Sequence, residues 1–236
     1  MPIENLDSTQ GFVFIGEITS TRNLLASGLR ILREGAFFDT TKDPIFTTLS
    51  IGVEKYLKLT LGVISLDEHG GWPTKAEMRA YGHGIAEMWD RVMGEVRSRT
   101  ADKSEYLQTL VARVDADPVL RPLLDVLDRY GQSGRFFNLD MLGGSPQPEL
   151  SPDALWDAVE QAAMADPEVV RARDEAMADV NDQAAWDRFD KMLRERIASS
   201  LARAWEMLSR VGMNDGFGAT GKVLGYDLQA DAVGRQ

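Results

Sequence analysis

Apolar residues return at three-, four- and seven-residue steps along most of this chain, which is the period of amphipathic α-helices. Phe14, Ile18, Leu25, Leu29 and Leu32 set the first stripe and predict a helix over about 12–34. Asp43 and Pro44 form an N-cap and first-turn pair, predicting a second helix that carries Ile45, Leu49, Val53, Tyr56, Leu57 and Ile64 and ends near Asp67. Gly70, Gly71 and Pro73 turn the chain, and Thr74 with Glu77 has the capping-box spacing that opens a new helix. Gly82 and Gly84 flank His83 and predict a break before Ile85, Met88, Trp89, Val92 and Val96 resume the stripe. Two shorter helices follow, one built on Tyr106, Leu107, Leu110 and Val114, the other capped by Asp117 and running from Pro118 to Tyr130.

Residues 131–150 are rich in Gly, Pro and Ser and read as a long loop. Ser151 with Pro152, and Asp166 with Pro167, mark two further helix starts. The cleanest stripe is Trp186, Phe189, Leu193, Ile197, Leu201, Ala204, Leu208 and Val211, stopping at Gly212. From there to Gly225, five glycines in fourteen residues erase the helical period, so the tail is expected to be partly disordered. Alternating apolar runs of useful length are missing, which leaves little room for a sheet. The expectation is all-α: one domain, an antiparallel helical bundle with an inserted acidic helical segment. The bundle core takes residues 10–140 and 182–211, the acidic insertion 147–181 faces solvent, and 212–236 is a Gly-rich tail.

Composition narrows the class. Of 236 residues, 44% are apolar and 27% charged, a globular balance that can bury a sizeable core. There is no Cys, so disulfide scaffolds and thiolate metal sites are excluded. The start of the chain, with Glu4 and Asp7, lacks the basic and apolar runs of a secretion signal. Every apolar stretch is broken well short of the ~20 residues needed to cross a bilayer. These features predict a cytoplasmic protein with no membrane contact. The net charge is −11, and residues 147–190 hold 12 Asp and Glu against 3 Arg, a surface that repels a phosphate backbone and argues against strong non-specific nucleic-acid binding. It would instead suit a basic protein partner.

Candidate chemistry is sparse. Two histidines, His69 and His83, are too few for the usual zinc constellations, and neither a metal nor a cofactor is expected. Gly218, Gly221 and Lys222 resemble a phosphate loop, yet Val223 stands where Ser or Thr is required. His83 is the sharpest candidate, because an imidazole exchanges protons near neutral pH, and Arg79 four positions earlier would share its face in an unbroken helix. A hydrogen-bonded structural histidine closing a turn is the plainer reading. Arg135 with Phe136 and Phe137, just after Tyr130, could clamp a phosphate or stack on a base, or could fasten a loop by apolar burial. Glu54 and Lys58 have the spacing of a surface ion pair.

Three stretches together resemble the HEPN superfamily of helical bundles, found in nucleotidyltransferase partners, toxins and abortive-infection proteins. They are Val53-Glu54-Lys55-Tyr56-Leu57-Lys58-Leu59, then Gly82-His83-Gly84-Ile85, then Arg129-Tyr130 with Gly134-Arg135-Phe136. The resemblance covers roughly residues 10–140, with 186–211 completing the bundle. It implies a homodimer and a site containing Glu54, Lys58, Tyr130 and Arg135, with a nucleotide, an RNA or a nucleotidyltransferase as ligand or partner, in toxin-antitoxin or phage-defence settings. Ribonuclease members of the family carry Arg, four to six residues, then His, whereas only three residues separate Arg79 from His83. The resemblance therefore implies first a non-catalytic binding or regulatory module. Its alternative is a metal-independent ribonuclease in which His83 moves the proton and Arg79 or Arg135 steadies the phosphate.

Overall fold

The computed structural model describes residues 3–34 and 38–230, with the side chains of Phe38 and Asp39 left aside, and every regular element within them is helical. The α-helices are α1 Ser8–Glu34, α2 Phe38–His69, α3 Lys75–Ala80, α4 Ile85–Thr100, α5 Glu105–Asp115 and α6 Leu120–Gln132. After a 3-10 turn at Gly134–Phe136 come α7 Phe137–Leu142, α8 Pro152–Ala163, α9 Pro167–Ala178, α10 Gln183–Met213 and α11 Gly218–Asp227. None of these helices is long and apolar enough to cross a membrane.

The predicted stripes become the interior. Phe14, Ile18, Leu25, Leu29 and Leu32 are all buried on α1, and Ile45, Leu49, Val53, Tyr56, Leu57 and Ile64 on α2. Helices α1 and α2 run antiparallel: Lys55 reaches Ser20 at 3.0 Å, while Gly52 faces Leu24 and Leu25. The face of α10 that carries Leu201, Ala204 and Leu208 closes the other side of this core. Tyr56, at the centre, donates to the Trp205 carbonyl at 3.3 Å and shares a hydrogen bond of 3.0 Å with Ser209. Burial, only partly offset by that Ser209 contact, pushes the Tyr56 hydroxyl far above its ordinary range, so it remains a neutral phenol.

Helix boundaries differ from the sequence expectation for identifiable reasons. α1 begins earlier because Asp7 and Gln10 make a reciprocal cap, Gln10 N to Asp7 Oδ1 at 2.8 Å and Asp7 N to Gln10 Oε1 at 2.9 Å. α2 also begins earlier, so Pro44 lies inside it rather than opening it. Burial of Ile45, Phe46 and Leu49 around Pro44 outweighs the roughly 3 kcal/mol that an interior proline costs. The Thr74–Glu77 capping box forms as its spacing implies, with Thr74 N to Glu77 Oε2 at 2.7 Å. Those Thr74 hydrogen bonds, backbone first, hold the Glu77 carboxyl below its usual range.

Three expectations are corrected. The acidic helices α8 and α9 are not merely solvent-facing: α8 buries Trp156, Val159 and Ala163, and α9 buries Val169, Ala172 and Ala176. Each is amphipathic, and the Trp156 ring lies 5.4 Å from that of Phe46 on α2. The Gly-rich tail is also ordered through residue 230, forming α11, with residues 231–236 of that expectation outside the described ones. Phe217, Leu224 and Leu228 are buried, and the carbonyls that end α11 are taken up by Arg22, which donates to Asp227 O at 2.7 Å, and by Trp205, which donates to Leu228 O. The 131–150 segment similarly contains the 3-10 turn and α7 instead of plain loop.

Candidate functional site

The candidate residues fall into two separate groups, both resting on α2. Glu54 and Lys58 occupy successive turns of its surface, each about one-fifth exposed, and Lys58 Nζ lies 2.8 Å from Glu54 Oε1. The α3–α4 connection brings His83 to the same oxygen, with Nδ1 also 2.8 Å from Glu54 Oε1. Gly82 makes this turn possible: its φ of +67° lies in the left-handed region that a side chain disfavours. The ring of His83 is 73% exposed, so its Nε2 edge remains available to solvent.

Helix α4 starts two residues after His83, and its cap comes from another helix. Gly84 has no side chain to give, and Asp128 of α6 accepts instead from Ile85 N and, at 3.4 Å, from Ala86 N. Gln132 holds the second oxygen of Asp128 at 3.0 Å. This long-range cap fixes the His83 turn against α6, and Asp128 has no local sequence signature that would reveal it.

Arg79 does not join the cluster. α3 stops at Ala80, so Arg79 and His83 never share a helical face, and the Arg79 side chain is exposed. Tyr130 and Arg135 form the second group, about 10 Å away along α2, since Thr47 and Glu54 are seven positions apart on the helix. Tyr130 is buried, shares a 2.8 Å hydrogen bond with Thr47 and meets the Phe46 ring edge-on at 5.5 Å. Burial first, with the nearby Asp43 acting in the same direction, raises its hydroxyl above the ordinary range. Its aromatic face is therefore spent on the core and cannot stack on a base. Arg135 is exposed, its guanidinium 5.0 Å from the Phe136 ring.

Sequence reasoning missed a cavity beside the first group. About 350 Å³ opens between α1, α2 and α3, walled by Phe14, Leu59, Trp72 and Met78, with Lys55, Lys58 and Glu17 at its edge. Trp72, in the turn after α2, meets Phe14 edge-on at 5.7 Å. It lies so close to Gly62 that a Cβ there would come within 2.4 Å of the indole. The Gly-Gly-Trp-Pro run at 70–73 was the available signal, since a large aromatic in a turn needs somewhere to pack.

Among the described residues, no three His, Asp or Glu side chains gather in a metal-binding arrangement. Comparison with family models, curated proteins and solved structures finds no match to this chain.

Proposed function

We propose that this chain is a HEPN-like, non-catalytic binding or regulatory module acting as a homodimer, with the Glu54–Lys58–His83 edge facing a nucleotide or protein ligand. The observation that supports it most is the sharing of Glu54 Oε1 by His83 and Lys58 with no arginine in the cluster. The carboxylate balances the lysine internally. Transition-state charge at a phosphate would need a cation that this edge does not supply. What remains is a polar recognition surface, held by the Asp128 cap, whose groups can exchange internal partners for those of a ligand.

The ribonuclease reading has one observation in its favour. A histidine anchored through Nδ1 by a carboxylate, with Nε2 exposed, is an oriented general acid or base. In that reading a second copy must bring the arginine. The two readings separate when labelled RNA is incubated with the protein in chelator, alongside His83→Ala. The expected result is no cleavage above a protein-free control for either protein. Chelator-resistant cleavage that disappears in the variant would establish the ribonuclease. Sedimentation equilibrium should meanwhile give twice the 26.2 kDa protomer mass, and a monomer across the micromolar range would remove the dimeric part of the proposal.

A further inference from the structure

The cavity between α1, α2 and α3 has an aromatic wall that is fixed by its surroundings. Trp72 meets Phe14 edge-on at 5.7 Å, and its indole lies directly on α2 at Gly62, where a Cβ would come within 2.4 to 2.9 Å of three ring carbons. Pro73, buried next to it, restricts the backbone of Trp72 to extended conformations. Leu59 and the half-buried Met78 of α3 continue the apolar lining. The enclosed volume of about 350 Å³ lies at the small end of the ~300–1,000 Å³ range of ligand pockets.

Three charged side chains edge this lining, and each is already matched. Lys55 lies 2.8 Å from Glu17 and 3.0 Å from Ser20, and Lys58 lies 2.8 Å from Glu54. With Glu54 counted, the rim sums to zero. A charged ligand therefore finds a counter-ion only by drawing one of these groups off its partner, which strands the partner's charge beside an apolar wall. An uncharged ligand leaves both pairs closed. The neutral polar groups of the lining are donors: Gln10 Oε1 is taken by Asp7 N at 2.9 Å, which leaves the Nε2 end of the amide, and Trp72 brings an indole N–H.

We propose that this cavity binds a small uncharged aromatic molecule with one hydrogen-bond acceptor, its rings against Phe14, Leu59 and Trp72 and its acceptor at Gln10. Ring on ring is the contact that this wall rewards, because Phe14 and Trp72 already pair edge-to-face and a third ring extends the arrangement. Matched rim charges exclude anions and cations alike. The inference stands apart from the module reading, since no group of the Glu54–Lys58–His83 edge has to change partner.

Equilibrium dialysis of the full chain against four ligands of nearly equal shape provides the test: 2-acetylnaphthalene, 2-naphthoate, 2-naphthylmethylammonium and 2-ethylnaphthalene. Gly62→Ala pushes the indole off α2 and removes the wall, Met78→Trp fills the cavity from α3, and Glu17→Gln leaves the rim with one unmatched positive charge. Expected are saturable binding of one acetylnaphthalene per chain, roughly tenfold or greater weakening for both ions, and roughly threefold weakening for ethylnaphthalene. Gly62→Ala should lose about tenfold in affinity for the ketone and Met78→Trp should not bind it. Glu17→Gln should leave the ketone unchanged and tighten naphthoate about threefold. Superimposable circular dichroism melts would show that the variants are folded, and if Gly62→Ala melts early, the Met78→Trp result decides. Absence of saturable ketone binding, either ion binding as tightly as the ketone, or ketone affinity unchanged in both cavity variants would overturn the proposal. Equal binding of ethylnaphthalene would overturn the acceptor assignment, and naphthoate unchanged in Glu17→Gln the argument from matched charges. Because none of these readouts involves RNA cleavage or mass, they can fail while the module reading survives, and the reverse.

Discussion

Replacing Asp117 with Ala is expected to lower the unfolding free energy by ~3–5 kcal/mol, the range for breaking a buried ion pair from one side. Only 3% of its side chain is exposed, yet it accepts from four groups. Arg196 reaches Oδ1 at 2.8 Å, Ser200 reaches Oδ2 at 2.7 Å, Val119 N reaches Oδ1 at 3.1 Å, and Arg203 closes on Oδ2. This one carboxylate ties the start of α6 to α10, and through Arg196 also to Asp166 at the cap of α9, 3.1 Å away. Removal strands Arg203, whereas Arg196 keeps Asp166 and Ser200.

The same residue should impose an acid limb on stability. Burial pushes the Asp117 carboxyl up, but the hydrogen bonds from Arg196, Arg203, Ser200 and Val119 overcome it, taking the pKa from an ordinary 3.8 to about 2. A carboxylate depressed in the folded state stabilises above its unfolded pKa, and that contribution disappears as pH falls from about 4 through about 2. The linked stability is on the order of 2 kcal/mol. Urea titrations of the wild type should therefore show a falling midpoint between pH 4 and pH 2, with that component missing from Asp117→Asn. An identical pH profile in the two proteins would show that Asp117 is not the group responsible.

The second large effect is expected from a single methyl group. In Gly225→Ala the new Cβ would lie 2.5 Å from Met213 N and 2.6 Å from Ser209 O, both backbone atoms of α10 that cannot rotate away. α11 must then lift, at a cost of ~3 kcal/mol, the upper range for overpacking. Lifting also removes the Asp227 carbonyl from the Arg22 Nη1 that donates to it, in a residue only 7% exposed whose Nε already lacks a partner. Hydrogen exchange of residues 217–228 should accelerate well before the rest of the bundle opens. Gly94→Ala is the control, because nothing lies within 4 Å of its Cβ position in α4, and it should gain ~0.5–1 kcal/mol of helix propensity. If Gly225→Ala behaves like Gly94→Ala, the close approach of α10 and α11 is wrong.

That glycine face explains why the tail could not be read from its apolar period. A stripe of large side chains announces a helix that packs at ordinary distance, as on α1 and α10. α11 packs with its backbone, and Gly212 and Gly225 supply contact by lacking atoms, which looks like disorder to a hydropathy pattern. The acidic segment misled for a related reason: its charges mark the outer face of α8 and α9, while small residues such as Ala163, Ala172 and Ala176 mark the inner one. The all-α architecture and the break at His83 were legible because each depended on neighbours in sequence. So was the spacing of Glu54 and Lys58. Their meeting with His83, the Asp128 cap and the cavity under Trp72 depend on helices that meet only after folding. Tyr130 looked like a candidate by residue type, but its place beside Phe46 spends that ring on packing.

The ends of the described chain are stitched to each other. Thr220 Oγ1 donates to Glu4 O at 3.0 Å, across 216 positions of sequence, and Arg22 spans 205 positions to Asp227. During synthesis, α1 and α2 can pair as soon as both have emerged, but the seat for Arg22 does not exist until Asp227 and Leu228 have been added. The α1–α2 hairpin therefore waits through 205 further positions of synthesis for the carbonyl that receives Arg22, and that side of its interior is covered only when α11 arrives.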